Sequence, residues 1–485
     1  MKVSTPSHPV FYMLVITLVV LLSACTSKPK HDNLAANGNH DAWSDAAQIL
    51  KRINPPAFPD RDFQVADYGA LGDGSFDNTA AFKAAIEACS NAGGGRVVVP
   101  EGRYLTGPVY LKSNVNFHIS KGAVLLFSTR PGDYLPVVAT RWEGVELMNY
   151  SPLIYAYKEK NIAVTGEGLL DGQASKEHWW PWSSGTDYGY SEGMPSQKDP
   201  GNRKALFAMA ENGVPVSERV FGEGHYLRPQ FVQPYLCENV LLQDFTIINS
   251  PMWVIHPVLC ENVSIRNLTI NSNGPNSDGC DPESCRNVLI EGCTFNTGDD
   301  CIAIKSGRNE DGRRINRPSE NIIVRNCEMK DGHGGLVIGS EISAGARNIY
   351  IEDCKMDSPN LTRAIRLKTN SARGGTIDGV YARHIEVGEV EETLLKVNMV
   401  YEEGEGHGYV PVVKNIRLEN INCRKTRFPL FLLGSSESEI SDIVLKNVLI
   451  EDAREASVLR YVTNITLENV KFQTSREVNI WGTVK

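Results

Sequence analysis

The chain has 485 residues, 41% of them hydrophobic and 22% charged, with a formal net charge of −9. That is enough chain for one large folded body or two to three ordinary ones. A net acidic surface is not built to hold nucleic acid or an anionic membrane face, so a polyanionic ligand would need a local basic site.

The first 25 residues are not expected to belong to the fold. A 13-residue apolar run, Val10–Leu22, is too short for a comfortable membrane span and sits where a signal peptide has its apolar core. It runs into Leu22-Ser23-Ala24-Cys25, which resembles a bacterial lipobox and implies lipidation at Cys25. Residues 26–57 are polar and are expected to form a tether, with the folded body spanning 58–485. This places the chain in a bacterial cell envelope, at the outer membrane or facing the periplasm. It would meet the membrane only through its lipid anchor, as a monomer.

"NTAAFKAAIEACSNAGGG" predicts a helix with Asn78 as N-cap and Phe82, Ala85, Ile86 and Cys89 on one face, a suitable lid for the open end of a stack. Between Asn161 and Asn239 stands a long aromatic loop, "HWWPWSSGTDYGY". Trp179, Trp180, Trp182, Tyr188 and Tyr190 have two readings. They form a platform for sugar rings, or a local core that closes the loop.

From Asn239 a repeat sets in. Asn239, Asn262, Asn287, Asn321, Asn348, Asn415, Asp442 and Asn464 each begin a pattern with apolar residues at offsets +1, +3, +6 and +8. Two period-2 strands separated by a one-residue bend give this pattern, and a helix does not. The bend, at +5, carries Asp244, Asn267, Gly292, Asn326, Asp353, Asn420, Asn447 and Asn469, residue types that tolerate left-handed backbone. Repeats begin 22 to 37 residues apart, with a weaker coil near "DGVYARHIEV". A unit that short must stack on its neighbours to bury its apolar face, which predicts an all-β, single-stranded parallel β-helix. The +6 column includes Cys293, Cys327 and Cys354, which are expected to point inward as small apolar side chains. Cys280 and Cys285 lie in a turn where a disulfide is open.

Charged residues recur with the coil. Asp278 precedes Asp299 and Asp300 by about one coil, and His333 and then Arg366 follow at one coil each, with Lys368 two residues further. One rung of a parallel stack rises about 4.8 Å. Three carboxyls, an imidazole, a guanidinium and an ammonium therefore fall on consecutive rungs. Crowded carboxylates raise one another's pKa, and two carboxyls and a water are the minimum for glycoside hydrolysis.

"NSDG", "GDDCIAIKSG", "GHGG" and "RLKT", in this order, resemble the polygalacturonase family, glycoside hydrolase family 28. Ser277 stands where that family usually has Thr, and Leu367 where it has Ile. The resemblance covers about residues 62–480 and includes the N-terminal stretch from "FQVADYGALGDG". It implies a right-handed β-helix that hydrolyses α-1,4 galacturonosyl links of pectin with inversion, without cofactor or metal. In it Asp299 is the general acid, Asp278 and Asp300 hold the water, and His333 tunes the acid. Arg366 and Lys368 bind a uronate carboxylate, Lys305 adds positive charge, and Tyr401 contacts the sugar. Trp179 and Trp180 would add a stacking floor. The long loop favours exo action. A Ca²⁺-dependent pectate lyase, a rhamnogalacturonan-directed hydrolase and a non-catalytic carbohydrate-binding β-helix are the alternatives on this fold.

Overall fold

The structure, a computed structural model, describes residues 41–474. The expected signal peptide, Cys25 and the first part of the expected tether lie outside the described residues. The chain winds as a right-handed parallel β-helix. Its largest sheet has 21 strands and a second has six, Ile302–Ile304, Leu336–Ile338, Arg363–Lys368, Thr393–Asn398, Phe428–Leu433 and Val458–Arg460. Single bridges through Ile255 and Cys280 link that second sheet back to Val232–Tyr235 and Ile154–Tyr157, so one face runs the length of the stack.

The repeat works as its offsets require. In the coil from Asn239, Val240, Leu242, Phe245 and Ile247 are all buried, and Asn239 pairs with the same position in its neighbours. Every bend residue at +5 has positive φ, from 52° to 72°. The weak coil fits too: Gly379 aligns with Asn348 and His384 with Asp353, and both have positive φ. The first position of each repeat is also left-handed, and its side chain serves a second purpose. Asn161, Asn239 and Asn262 form an amide ladder, each Nδ2 donating to the Oδ1 one rung earlier, as do Asn287, Asn321 and Asn348. Such ladders satisfy polar groups that every coil would otherwise leave at the same corner.

The interior stack includes Cys293, Cys327 and Cys354 as expected, and a second file, Cys237, Cys260 and Cys285, at another corner. All ten described cysteines are buried thiols, so Cys280 and Cys285 form no disulfide.

Two local expectations are corrected. Helix α1 (Ala42–Leu50) lies inside the expected tether, yet Trp43, Ala46, Ile49 and Ile53 are buried. Their spacing of three to four makes one helical face. Trp43 donates to Glu419 at 3.2 Å and carries the Arg383 guanidinium over its ring at 3.9 Å. The next segment locks onto the ladder, Asn54 exchanging backbone bonds with the Asn262 side chain. Helix α2 (Thr79–Asn91) buries Phe82, Ala85, Ile86 and Cys89 and has Asn78 at its N-cap position, but the Asn78 side chain makes no capping bond. Asn78 is fully buried and its side chain bridges Leu71, Phe76 and Leu105. Asp77 instead accepts from the first helical N–H, that of Thr79.

Two segments interrupt the winding. The hairpin Val138–Trp142/Val145–Asn149 is the antiparallel pair. Residues 172–231 hold the aromatic loop and helix α3 (Arg203–Glu211). Both lie over the second face on the rungs before the acids. Gln230 and Gln233 donate to the Arg141 carbonyl, Arg141 pairs with Glu283 at 3.0 Å, and Trp142 is buried with Leu206, Ala210 and Trp253.

Candidate active site

Main-chain bonds stack the three turns that carry the acids. The Gly279 N–H donates to the Asp300 carbonyl and the Cys301 N–H to that of Gly334, while the His333 N–H donates to the Asp299 carbonyl. Ser277 ties two of the turns together. Its buried hydroxyl lies 2.5 and 2.7 Å from the Ser272 and Gly274 carbonyls and accepts from Gly298 N–H at 3.1 Å. The glycines around His333 are steric necessities. A Cβ on Gly332 would stand 2.7 Å from the Asp299 carbonyl, and one on Gly335 would stand 2.8 Å from the Met356 sulfur.

This turn answers how neighbouring acids share one site. Carboxylate oxygens of Asp278, Asp299 and Asp300 lie within 4.8 Å of one another. Asp300 is fully buried and turned to Lys368, whose Nζ is 2.8 Å away, with Arg366 at 3.7 Å. Asp299 has the most exposed carboxyl of the three, at 19%, and accepts from His333 Nδ1 at 2.9 Å. Asp278 lies deeper, its Oδ2 3.5 Å from Lys305.

The environments push the acids apart. Burial, helped by the charges of Asp299 and Asp300, raises Asp278 to about 8. Burial also acts to raise Asp299, but the hydrogen bond and charge of His333 and the fields of Lys368 and Lys305 prevail and lower it to about 2. The same bond raises His333. Burial and charge therefore favour a proton on Asp278 over one on Asp299.

The remaining expected residues divide. Tyr401 is at the site, its ring 5.3 Å from the Arg366 guanidinium and 5.6 Å from the Lys368 ammonium. Lys305 is beneath the site rather than on a binding surface. It is buried between Asp278, Asp281 and Glu341 at 3.4–3.5 Å and lies over the Trp253 ring at 4.3 Å. Trp179 is 3% exposed and packs on Tyr134 and Trp182, so the mini-core reading holds for it. Trp180 is half-buried, donating from Nε1 to the Ser250 carbonyl at 2.9 Å and lying flat against Gly274.

Three residues went unnoticed in the sequence, and one loop aromatic took a place the sequence did not fix. Tyr188, of the same loop, packs on Trp180 and lies within the field of Asp299: burial and that charge raise its phenol. Asp281 is a fourth buried carboxyl behind Asp278, pushed up by burial and by Asp278 itself. Arg228, fully buried, donates to the Pro251 and Pro275 carbonyls and to Asn276, clamping the turn that carries Asp278. Glu341 stays ionised because Lys305, Arg308 and Arg373 outweigh its burial. Asp281 had a sequence signal, its place three residues after Asp278, and Tyr188 had its place in the aromatic loop; Arg228 and Glu341 are joined to the site by tertiary contacts alone.

The sequence model for Glycosyl hydrolases family 28 matches residues 222–475. A second model, Rhamnogalacturonase A/epimerase, pectate lyase-like, matches residues 63–118, and residues 119–221 fall in neither. The chain is 26% identical over 492 residues to an exo-poly-alpha-D-galacturonosidase of Dickeya chrysanthemi, covering 93% of this chain and 78% of that protein. It is 26% identical over 393 residues to an endo-polygalacturonase of Pectobacterium carotovorum subsp. carotovorum, covering 77% and 84%. The crystal structure of a hyperthermoactive exopolygalacturonase from Thermotoga maritima superposes with a TM-score of 0.84 at 47% identity, covering 88% of this chain and 96% of that one.

Proposed function

The chain belongs to glycosyl hydrolases family 28, and from that premise we propose that it removes single galacturonate units from the non-reducing end of polygalacturonan, with inversion. One observation carries the exo reading. The face that bears the acids is sealed up to the Asp278 coil by the hairpin 138–149 and the segment 172–231, whereas past Lys368 its outward side chains Lys396, Asn398, Phe431 and Leu433 are only half-buried. A polymer cannot lie across a covered rung; a chain end can enter. The exo names of the Dickeya chrysanthemi and Thermotoga maritima proteins support the same reading.

The chemistry follows from which acid reaches solvent and which holds the proton. Asp299, the most exposed, faces the glycosidic oxygen. As that oxygen engages Asp299, the proton held by Asp278 passes to Asp299 and on to the leaving oxygen. A water between Asp278 and Asp300 attacks the anomeric carbon and returns a proton to Asp278, so the cluster ends as it began. Lys368, 2.8 Å from Asp300, orients that carboxylate for this task. Arg366 touches Asp300 only at 3.7 Å, which leaves guanidinium donors for a uronate carboxylate. The acids are closer than the about 6.5–9.5 Å common for inverting enzymes, and the water here is held beside Asp278 and Asp300 rather than across the sugar. NMR of the first product anomer tests this, because an α-anomer would mean retention.

Three clustered carboxylates could also hold a divalent cation, as a lyase would require. Lys305, Lys368 and Arg366 already neutralise them, which favours hydrolysis. Long polygalacturonate should release monomer from the start with little early fall in viscosity, unchanged by a chelator. A rapid fall with mixed oligomers would overturn the exo reading, and absorbance from an unsaturated product would overturn hydrolysis. We also propose a lipid anchor at Cys25; Cys25→Ser should release the protein from envelope membranes.

A further inference from the structure

The covering segments form the end wall of the pocket, and one pair in that wall has the chemistry to read the substrate's terminus. Glu143, at the tip of the hairpin with φ 43°, binds Arg203 of α3 at 2.7 Å. A continuous path of contacts leads from this pair to the acids. Arg203 and Arg308 both lie over the Phe207 ring, at 4.8 and 4.3 Å. Arg308 meets Glu341 at 3.5 Å, Glu341 meets Lys305 at 3.4 Å, and Lys305 meets Asp278 at 3.5 Å. The tip is wedged in place: a Cβ on Gly144 would stand 2.8 Å from the Arg308 nitrogen and 3.0 Å from the Glu341 Cβ.

Longer-range charge effects, rather than contacts, complete a ring around the site. Glu143 is within the field of Arg228, which clamps the Asp278 turn, and Arg203 within that of Glu402, next to Tyr401. Tyr401 leads back to Arg366 and Lys368. Within this ring Arg203 remains open to solvent, its side chain 37% exposed. Both members of the pair lie in residues 119–221, which neither family model covers.

We propose that the Glu143–Arg203 pair recognises the free 4-hydroxyl at the non-reducing end of the substrate. A hydroxyl both donates and accepts, and a carboxylate beside a guanidinium offers it both partners. A uronate carboxylate at this spot would be repelled by Glu143. A 4-oxygen that carries another sugar has no proton to give and no room beyond the wall. The inference rests on the exo reading and names the residues that enforce it.

The test compares trigalacturonate with the trimer whose terminal sugar is 4,5-unsaturated and lacks the 4-hydroxyl. A site built to bond a hydroxyl rejects an analogue without it, so the wild type should prefer the saturated trimer by at least about 100-fold in kcat/KM. Glu143→Gln, which keeps the shape of the side chain, and Arg203→Ala should each cut that preference to below about 10-fold, by loss on the saturated trimer. Arg203→Lys should fall between. Equal loss on both trimers would mean the pair only supports the wall and would overturn the proposal, as would a wild type that does not discriminate. Product analysis on long polygalacturonate keeps the two readings apart. Mixed oligomers from the wild type overturn exo action itself, whereas monomer release without end discrimination overturns only the role of the pair.

Discussion

The face that bears the acids has two unlike halves. Up to and including the Asp278 coil, its outward side chains are sealed: Gln233, His256 and Glu283 are fully buried beneath the hairpin and α3. After Lys368 the same face is bare among the described residues. Lys396, Asn398, Phe431 and Leu433 are half-buried and Arg460 is exposed. The coils beneath are the same in both halves, with the same ladders and the same inward aliphatics. What separates them is what was inserted between coils. The winding supplies rungs on which acids can be placed, and the insertions decide which end of a polymer can reach them.

The sharpest test stands on the boundary. Asp299→Asn should cut turnover by about 10³- to 10⁴-fold while thermal unfolding stays near wild type, because an amide keeps an oxygen to accept from the Asp300 N–H and loses only the charge paired with His333. A ten-fold loss would move the acid role elsewhere in the cluster. The next largest contrast sets the halves against each other. Trp142→Ala, in the sealed half, should cost about 3–5 kcal/mol in urea unfolding, whereas Phe431→Ala, on the bare half, should cost about 1 kcal/mol or less. Equal costs would mean the covering segments are loosely held.

Asp278 gives a prediction with a counterintuitive sign. Its folded pKa of about 8 lies above the unfolded value of 3.8, so the folded state binds the proton more tightly. Stability from this group therefore falls as pH rises between about 4 and 8. Asp278→Asn should remove the penalty and stabilise the protein at pH 8 by about 2–3 kcal/mol, part of the shift being shared with Asp299 and Asp300, while abolishing activity. A mutant less stable than wild type at pH 8 would place the proton elsewhere. Wild-type turnover should fall as pH rises through about 8 and the cluster loses that proton. The smallest effect concerns support of His333. Arg363 donates to the His333 carbonyl at 3.2 Å and is held by Glu392. Arg363→Ala should lower kcat by about 10-fold and leave KM unchanged. An effect on KM alone would make Arg363 a binding residue.

The coil is local, so it was legible: offsets +1, +3, +6 and +8 fix the inward face, and Asp, Asn or Gly at +5 fixes the bend. The acids share a coil-length interval, so their convergence was legible as well. What escaped is whatever depends on how an inserted segment folds back. Trp179 and Tyr188 sit nine residues apart in one loop of similar composition, yet the first is core and the second is half-buried in the field of Asp299. Lys305 follows Asp300 closely enough to suggest a surface cation, and only the tertiary packing of Asp281, Glu341 and Trp253 around it shows otherwise. Asn78 had the right identity for a cap and the wrong neighbours: the Leu71, Phe76 and Leu105 carbonyls claim its amide first.

The sealed half also governs traffic. On the exo reading the pocket has a single mouth, and each hydrolysis leaves a monosaccharide at the blind end with the shortened polymer still in front of it. The product cannot leave until the polymer backs out. The enzyme cannot slide along its track as a two-ended tunnel would permit; every cut requires a fresh encounter, and chains in a mixture should shorten together rather than one at a time. Free galacturonate, re-entering first, would then be a competitor for that mouth, so the rate of sugar uptake around the enzyme would set its working speed.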